Sequence, residues 1–352
     1  MTEQGRPPGW DRPDAMNRLE THGRRILVTG AGGLLGSSLV PFLEASGHEV
    51  LRLARRAPRG GPHPTLPAGR VLDPSSTSIA AGPGRTQSAP ALTWDPAVGV
   101  LDPRPLEGLD AVIHLAGESI ASGRWTPQIK DRILRSRVVG THLLAERLAA
   151  LTHKPEVLIC ASAAGFYGDC GNEIIDETHG PGSGFLASVV QAWEEAADPA
   201  RAAGIRVVHL RLGVVLTSRG GALKRMLPMF RCGLGARLGS GRQHFSWIAI
   251  DDLLRVFGWV LAERPLFGPV NATAPGPVTN AAFTRTLARV LGRPAPFAVP
   301  AWVLRLALGE MAEETLLTGT RAHPARLLAS GFTFDYPQLK PALRHLLGRN
   351  GG

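Results

Sequence analysis

The chain has 352 residues, too many for one small core, so two domains or one large domain with an appendage is the default. It contains no run of 18 apolar residues, which argues against any membrane-spanning helix. The formal net charge of +10 is nearly all arginine, because only Lys130, Lys154, Lys224 and Lys340 are lysines. Those arginines are scattered, without a basic block or interleaved aromatics, so nucleic-acid binding is not expected.

Residues 1–22 are rich in Pro, Gly and charge and lack the apolar core of a secretory signal. They read as a disordered tail, with Met16 as an alternative start. RRILVTG (24–30) is a short apolar run ending in glycine, a buried strand. GGLLGSSLVPFLEASG carries leucines at helical spacing and stops at Gly47, and HEVLRLARR follows as a second strand. This is a βαβ unit. Residues 57–90, rich in Pro, Gly and Ser and without periodicity, read as a flexible surface insertion.

Alternation then resumes. DAVIHLAG is a strand, WTPQIKDRILRSRVVGTHLLAERLAAL a long amphipathic helix, PEVLICASAAG a strand, FLASVVQAWEEAADPARAAG a helix and IRVVHLRLG a strand. Such repetition predicts an α/β fold, a Rossmann-type doubly wound parallel sheet. The nucleotide-binding domain is expected to span 23–215, with 246–273 returning to it. Residues 216–245 and 274–348 are expected to form a smaller, mostly helical C-terminal substrate domain. Cys160, Cys170 and Cys232 show neither Cys-x-x-Cys spacing nor a nearby His pair, so no metal site and a reduced, cytoplasmic setting are expected.

VTGAGGLLG places Gly30, Gly33 and Gly36 between a strand and a helix. The first permits the tight turn, the second lets the backbone approach a pyrophosphate and the third lets the helix pack on the strand. With Leu34 and Leu35, this turn and its helix N-terminus form the expected phosphate site. The second strand ends Leu53-Ala54-Arg55-Arg56, with no acid to meet a ribose 2′-hydroxyl. A guanidinium there suits a 2′-phosphate, so Ala54 and Arg55 predict NADP(H) over NAD.

These stretches resemble the extended short-chain dehydrogenases/reductases, the epimerase and dehydratase group. LAGESIASGRWT, SAAGFYGD, RLGVVLTSRGGALKRMLPMF, LGSGRQHFSWIAIDDL and LLTGTRAHPARLLASGFTFDYPQL resemble more closely an atypical branch, the YfcH-type "epimerase family" proteins, which carry a C-terminal domain of unknown function. The resemblance covers about Arg25 to Leu346, outside the insertion. It implies a Rossmann fold with NADP(H), and an oxidoreductase or nucleotide-sugar epimerase-like activity on an undefined small molecule. A non-catalytic NADP(H)-binding sensor or scaffold is the alternative, in either case as a monomer or homodimer.

In the extended enzymes a Tyr-x-x-x-Lys pair opens the helix after the fifth strand. Here Phe185 and Val189 hold those positions, and neither can donate a proton. The literal match, YPQLK at 336–340, lies far beyond the sheet and reads as a packing element. Ser162 and Tyr167 are the remaining hydroxyls expected near a substrate carbonyl, although aligning on the Tyr-Gly of ASAAGFYG puts Ala163 in the serine's place. The resemblance further implies cofactor contacts from Leu115, Ala116, Gly117, Arg137, Val214 and Val215, and substrate contacts from Gln243, His244 and Trp247.

Overall fold

The computed structural model describes residues 23–55, 92–121, 123–263 and 265–349. The expected tail (1–22), the insertion (57–90) and Arg56 lie outside the described residues. Eight strands form the main sheet: β1 (Arg25–Thr29), β2 (Glu49–Arg55), β3 (Leu92–Asp95), β4 (Val100–Leu101), β5 (Ala111–His114), β6 (Val157–Ala163), β8 (Arg206–Leu212) and β13 (Gly268–Ala272). Between and after them come the short strands β7 (Ile174–Ile175), β9 (Val214–Leu216), β10 (Ala236–Leu238), β11 (His244–Phe245), β12 (Trp247–Ala249), β14 (Val278–Thr279), β15 (Phe297–Val299) and β16 (Arg321–Ala322). The sheet order is β13-β8-β6-β5-β1-β2-β3-β4, parallel except for the β3–β4 pair. This is the Rossmann-type doubly wound arrangement. Its strand order reverses direction on either side of β1, which opens a crevice at the carboxyl ends of β1 and β5.

Both faces of the sheet are covered, which is why β1 reads as an unbroken apolar run. Ile26 and Val28 face Leu39 and Leu43 of α1 (Gly36–Ala45) and Leu253 and Phe257 of α6 (Ile250–Ala262). Leu27 faces the other way, toward Leu144 and Leu148 of α2 (Pro127–Ala149). Thr126 starts α2 by accepting a hydrogen bond from the Ile129 amide. Helix α3 (Phe185–Glu195) and the short α4 (Asp198–Ala202) complete that second face.

A third core belongs to the C-terminal region. It gathers α5 (Gly221–Arg231), α7 (Asn280–Leu291) and α9 (Leu339–Leu346) around Leu223, Leu227, Phe230, Trp247, Phe283, Leu287 and Leu343. The helix α8 (Ala301–Leu308) precedes a π-helical turn, Glu313–Leu317, and then β16, which pairs with β7 from the sheet side. Residues 310–322 thereby lie across the gap between α3 and the 238–246 loop. Lys130 reaches Glu310, Gln243 donates to the Leu316 carbonyl, and Thr320 donates to the Gly168 carbonyl. Among the described residues no helix is long and apolar enough to cross a membrane.

Candidate functional site

The turn between β1 and α1 is shaped by its glycines. Gly30 has φ +69°, and a Cβ there would meet the Leu115 and Ala116 backbone at 2.9–3.0 Å. A Cβ on Gly36 would collide with the Gly30 carbonyl and the Ala31 backbone. The turn is closed by the Gly33 amide donating to the Gly30 carbonyl at 2.9 Å. No side chain caps α1, and among the described residues the amides of Leu34, Leu35 and Gly36 have no protein acceptor. A helix start in that condition offers N–H donors and a positive dipole end to a phosphate. The Leu34 side chain packs against Gly220 and Gly221, so the entry to α5 borders the same cleft.

Arg55 ends β2 exposed, and among the described residues its side chain makes a long 3.5 Å approach to the Ser136 carbonyl. Ala54 beside it is also exposed. Leu115, Ala116 and Gly117 follow β5 directly against the glycine turn. Val214 and Val215 are both half-buried in β9 just after β8; Val215 packs in the cluster that includes Ala31 and Leu35 of the turn, whereas Val214 packs against the C-terminal core. Arg137 lies over Gly117, its Cζ 3.5 Å from where a Cβ on that glycine would stand. The structure thus gathers Gly30, Leu115, Ala116, Gly117, Arg137 and Val215 around the glycine turn.

The expected catalytic hydroxyls are elsewhere engaged. Ser162 is buried on β6 and donates to Glu194 Oε1 at 2.6 Å. Arg211, its cross-strand neighbour on β8, binds the same carboxylate through Nε (2.9 Å) and Nη2 (2.8 Å). Arg211 Nη1 also donates to the Tyr167 hydroxyl, which in turn donates to Asn271 Oδ1 at 2.8 Å. Tyr167 is 2% exposed, and burial pushes its phenol above the usual value despite the Arg211 charge. Burial is the largest single influence and works to raise the Glu194 carboxyl, but the Arg211 bonds and charge, His209 and the Ser162 hydroxyl together hold it below the usual range. Neither hydroxyl faces open solvent.

Phe185 and Val189 sit in an apolar cluster with Trp125, Ile133 and Met311, and Val189 is 2% exposed. Of the expected substrate residues, Trp247 is wholly enclosed in the C-terminal core, its indole N–H donating to the Gly276 carbonyl. Its surface is thus not offered to a ligand, because the β9–β12 pairing turns it inward. The Gln243 amide group donates to the Leu238 and Leu316 carbonyls, its Oε1 has no donor among the described residues, and His244 bonds the Gly171 carbonyl from a half-buried position. In the terminal YPQLK stretch, Tyr336 stacks on His345 at 4.5 Å, its amide donates to Asp252, and its side chain packs against the C-terminal core.

The sequence profile of the NAD-dependent epimerase/dehydratase family matches residues 26–271. The chain belongs to that family. A domain of unknown function (DUF1731) matches residues 299–346 of this epimerase-family chain. The chain is 40% identical over 326 residues to the epimerase family protein Mb2239 of Mycobacterium bovis, covering 93% of this chain and 98% of the relative. It is 33% identical over 328 residues to the human epimerase family protein SDR39U1, covering 92% and 99%. The crystal structure of human SDR39U1 (isoform 2) with NADPH superposes with a TM-score of 0.74 at 32% identity, covering 92% of this chain and 99% of that one. A UDP-glucose 4-epimerase from Thermotoga maritima with UDP-glucose, at 18% identity and TM-score 0.67, shares the fold.

Two features of this epimerase-family chain are invisible to motif reading. The first is Glu314, in the π-helical turn. Its two carboxylate oxygens accept from the Phe185 amide at 3.1 Å and the Leu186 amide at 3.0 Å. It thus caps α3 where the proton-donor pair of the resembled enzymes would begin. Gly184, with φ +108°, permits this, since a Cβ there would stand 2.6 Å from Glu314 Oε1. The second is a buried relay. Thr29 Oγ1 accepts from the Leu115 and Ala116 amides and donates to His114 Nδ1 at 2.7 Å. His114 Nε2 then donates to Thr141 Oγ1 at 3.0 Å, which also accepts from the Trp193 indole and donates to the Arg137 carbonyl. Burial lowers the His114 pKa to about 4, with Arg55 adding to it, so the ring is neutral. The relay ties the ends of β1 and β5 to α2 and α3, the elements that line the crevice.

Proposed function

We propose that this chain binds NADP(H) across the crevice at the carboxyl ends of β1, β2 and β5, and uses it in hydride chemistry on a small hydroxylated or carbonyl substrate. Gly30, Gly33, Leu34, Leu35 and Gly36 hold the pyrophosphate by backbone amides. Leu115, Ala116 and Gly117 meet the adenine-side ribose by backbone or small side-chain contacts, and Val214 and Val215 flank the nicotinamide. The observation that carries the reading is the exposed Arg55 at the end of β2, with no carboxylate paired to it among the described residues, together with the uncapped helix start of α1. That pairing suits a 2′-phosphate and a pyrophosphate together. The structural match over 92% of this chain to a relative crystallised with NADPH supports it.

One observation favours a second reading, a non-catalytic NADP(H)-binding sensor or scaffold. The positions of the proton-donating pair hold buried Phe185 and Val189, and the hydroxyls of Ser162 and Tyr167 are held inside a salt-bridged network. General acid catalysis contributes roughly 10² to 10⁴ in rate, so ordinary ketones should be poor substrates. Gln243 and His244 remain the substrate-side candidates on the loop that residues 310–322 cover. The deciding experiment follows NADPH oxidation with aldehydes, ketones and nucleotide sugars. Turnover that disappears with Arg55→Ala at low NADPH supports the enzyme. NADPH binding without turnover on any of them supports the sensor.

A further inference from the structure

The family-type lysine places a cation beside the nicotinamide ribose from the helix that here is α3. Val189 leaves that helix without one. Three cations on the neighbouring α2 lie near enough to be considered. Lys130 is paired with Glu310 at 2.7 Å, and Arg132 with Glu118 at 3.2 Å. Arg137 is different. It is half-buried and has no carboxylate partner within ion-pair distance among the described residues. One of its N–H groups donates to the Ile133 carbonyl at 3.1 Å. Among the described residues its other donors have no protein acceptor, and they are not among the sealed, orphaned polar atoms there, which are Arg147 Nε and His209 Nδ1.

Its position is defined on three sides. The guanidinium stands 5.1 Å over the ring of Trp193, one turn along α3 from Val189. It touches the crevice loop at Gly117. Its bonded carbonyl belongs to Ile133, whose side chain shares the apolar cluster with Val189. The Thr141 hydroxyl fixes the helix from one turn further on by donating to the Arg137 carbonyl. Burial lowers this guanidinium to about 10, with Glu118 opposing, so it stays charged at neutral pH while lacking a partner. A half-buried cation kept open on its donor side is costly to the unliganded fold.

We propose that Arg137 supplies from α2 the cation missing from α3, its guanidinium fork donating to the hydroxyls of the nicotinamide ribose. This rests on the NADP(H) reading and adds the half of the dinucleotide that Arg137 serves. The fork presents several donors in one plane, which fits two adjacent hydroxyl oxygens better than an ammonium does.

The test compares two ligands by calorimetry, NADPH and adenosine 2′,5′-bisphosphate, which carries the 2′-phosphate but no nicotinamide ribose. Arg137→Met keeps the aliphatic stem against Trp193. It should weaken NADPH roughly ten- to hundredfold, the effect of one charge-assisted contact, and leave the bisphosphate unchanged. The thermal midpoint of the nucleotide-free protein should stay the same or rise. Arg137→Lys keeps the charge without the fork and should fall between the two. Equal loss for both ligands, no loss for either, or a lowered nucleotide-free midpoint would overturn the proposal and assign Arg137 a phosphate or structural role. If the unsubstituted chain bound no NADPH, the nucleotide reading itself would fail, which is a separate result.

Discussion

Replacing Glu194 by Gln tests whether Ser162 and Tyr167 belong to a structural network or to a working site. Glu194 and Arg211 have side chains only 12% and 4% exposed, and the pair is bidentate. Arg211 also lies 3.4 Å from the Phe166 ring centroid and donates to the Tyr167 hydroxyl. Gln at 194 keeps the volume and one acceptor oxygen but removes the counter-charge, leaving Arg211 buried and uncompensated. Breaking a buried pair from one side costs about 3–5 kcal/mol. Ser162→Ala removes one neutral donor while the two Arg211 bonds persist, so its cost should be about 1 kcal/mol. Urea unfolding of the nucleotide-free variants reads both values, and calorimetry with NADPH checks that the crevice is intact. The network reading requires a large loss for Glu194→Gln, a small one for Ser162→Ala and little change in NADPH affinity for Ser162→Ala. A Glu194→Gln variant as stable as the parent, or a Ser162→Ala variant of normal stability with impaired turnover, would refute it.

Acid should destabilise the fold through two buried histidines. Burial lowers His114 and His209 to about 4 from an ordinary 6.5, so the unfolded chain binds more protons below pH 6.5 and stability falls from there toward pH 4. Each contributes a loss on the order of 2 kcal/mol by pH 5. Asp252, raised to about 6 by burial, works the other way between pH 6 and 4, so a melting temperature that rises steadily from pH 7 to 5 would contradict the assignment. Glu314→Gln should lower stability by about 1 kcal/mol, since Gln offers one oxygen to the two amides that open α3 and no charge to the helix dipole. An unchanged melt together with unchanged hydrogen exchange at Phe185 and Leu186 would show the cap to be dispensable.

The βα alternation and the glycine turn were legible because both are local. Apolar runs of β1, β5 and β6 are buried on both faces, and Gly30, Gly33 and Gly36 do their work within seven residues of chain. The decoy YPQLK was also readable as misplaced from its position beyond the sheet. What could not be read depends on partners far along the chain. Glu314 meets Phe185 across 129 residues, and Glu194 meets Ser162 across 32, so no motif spacing marks either. Trp247 illustrates the opposite failure. Its setting among Gln243 and His244 suggested a ligand, but pairing of β12 with β9 turns the indole into the C-terminal core. Burial of that kind follows from which strand is paired, which sequence spacing does not encode.

Arg55, at the acid-free end of β2, is expected to select NADP(H) over NAD(H). The most direct measurement is the affinity of the purified chain for NADPH and for NADH at one fixed ionic strength, repeated with Arg55→Ala. NADPH should bind roughly ten- to hundredfold more tightly, and Arg55→Ala should remove most of that gap while NADH affinity changes little. Equal affinities for the two nucleotides in the unsubstituted chain would contradict it.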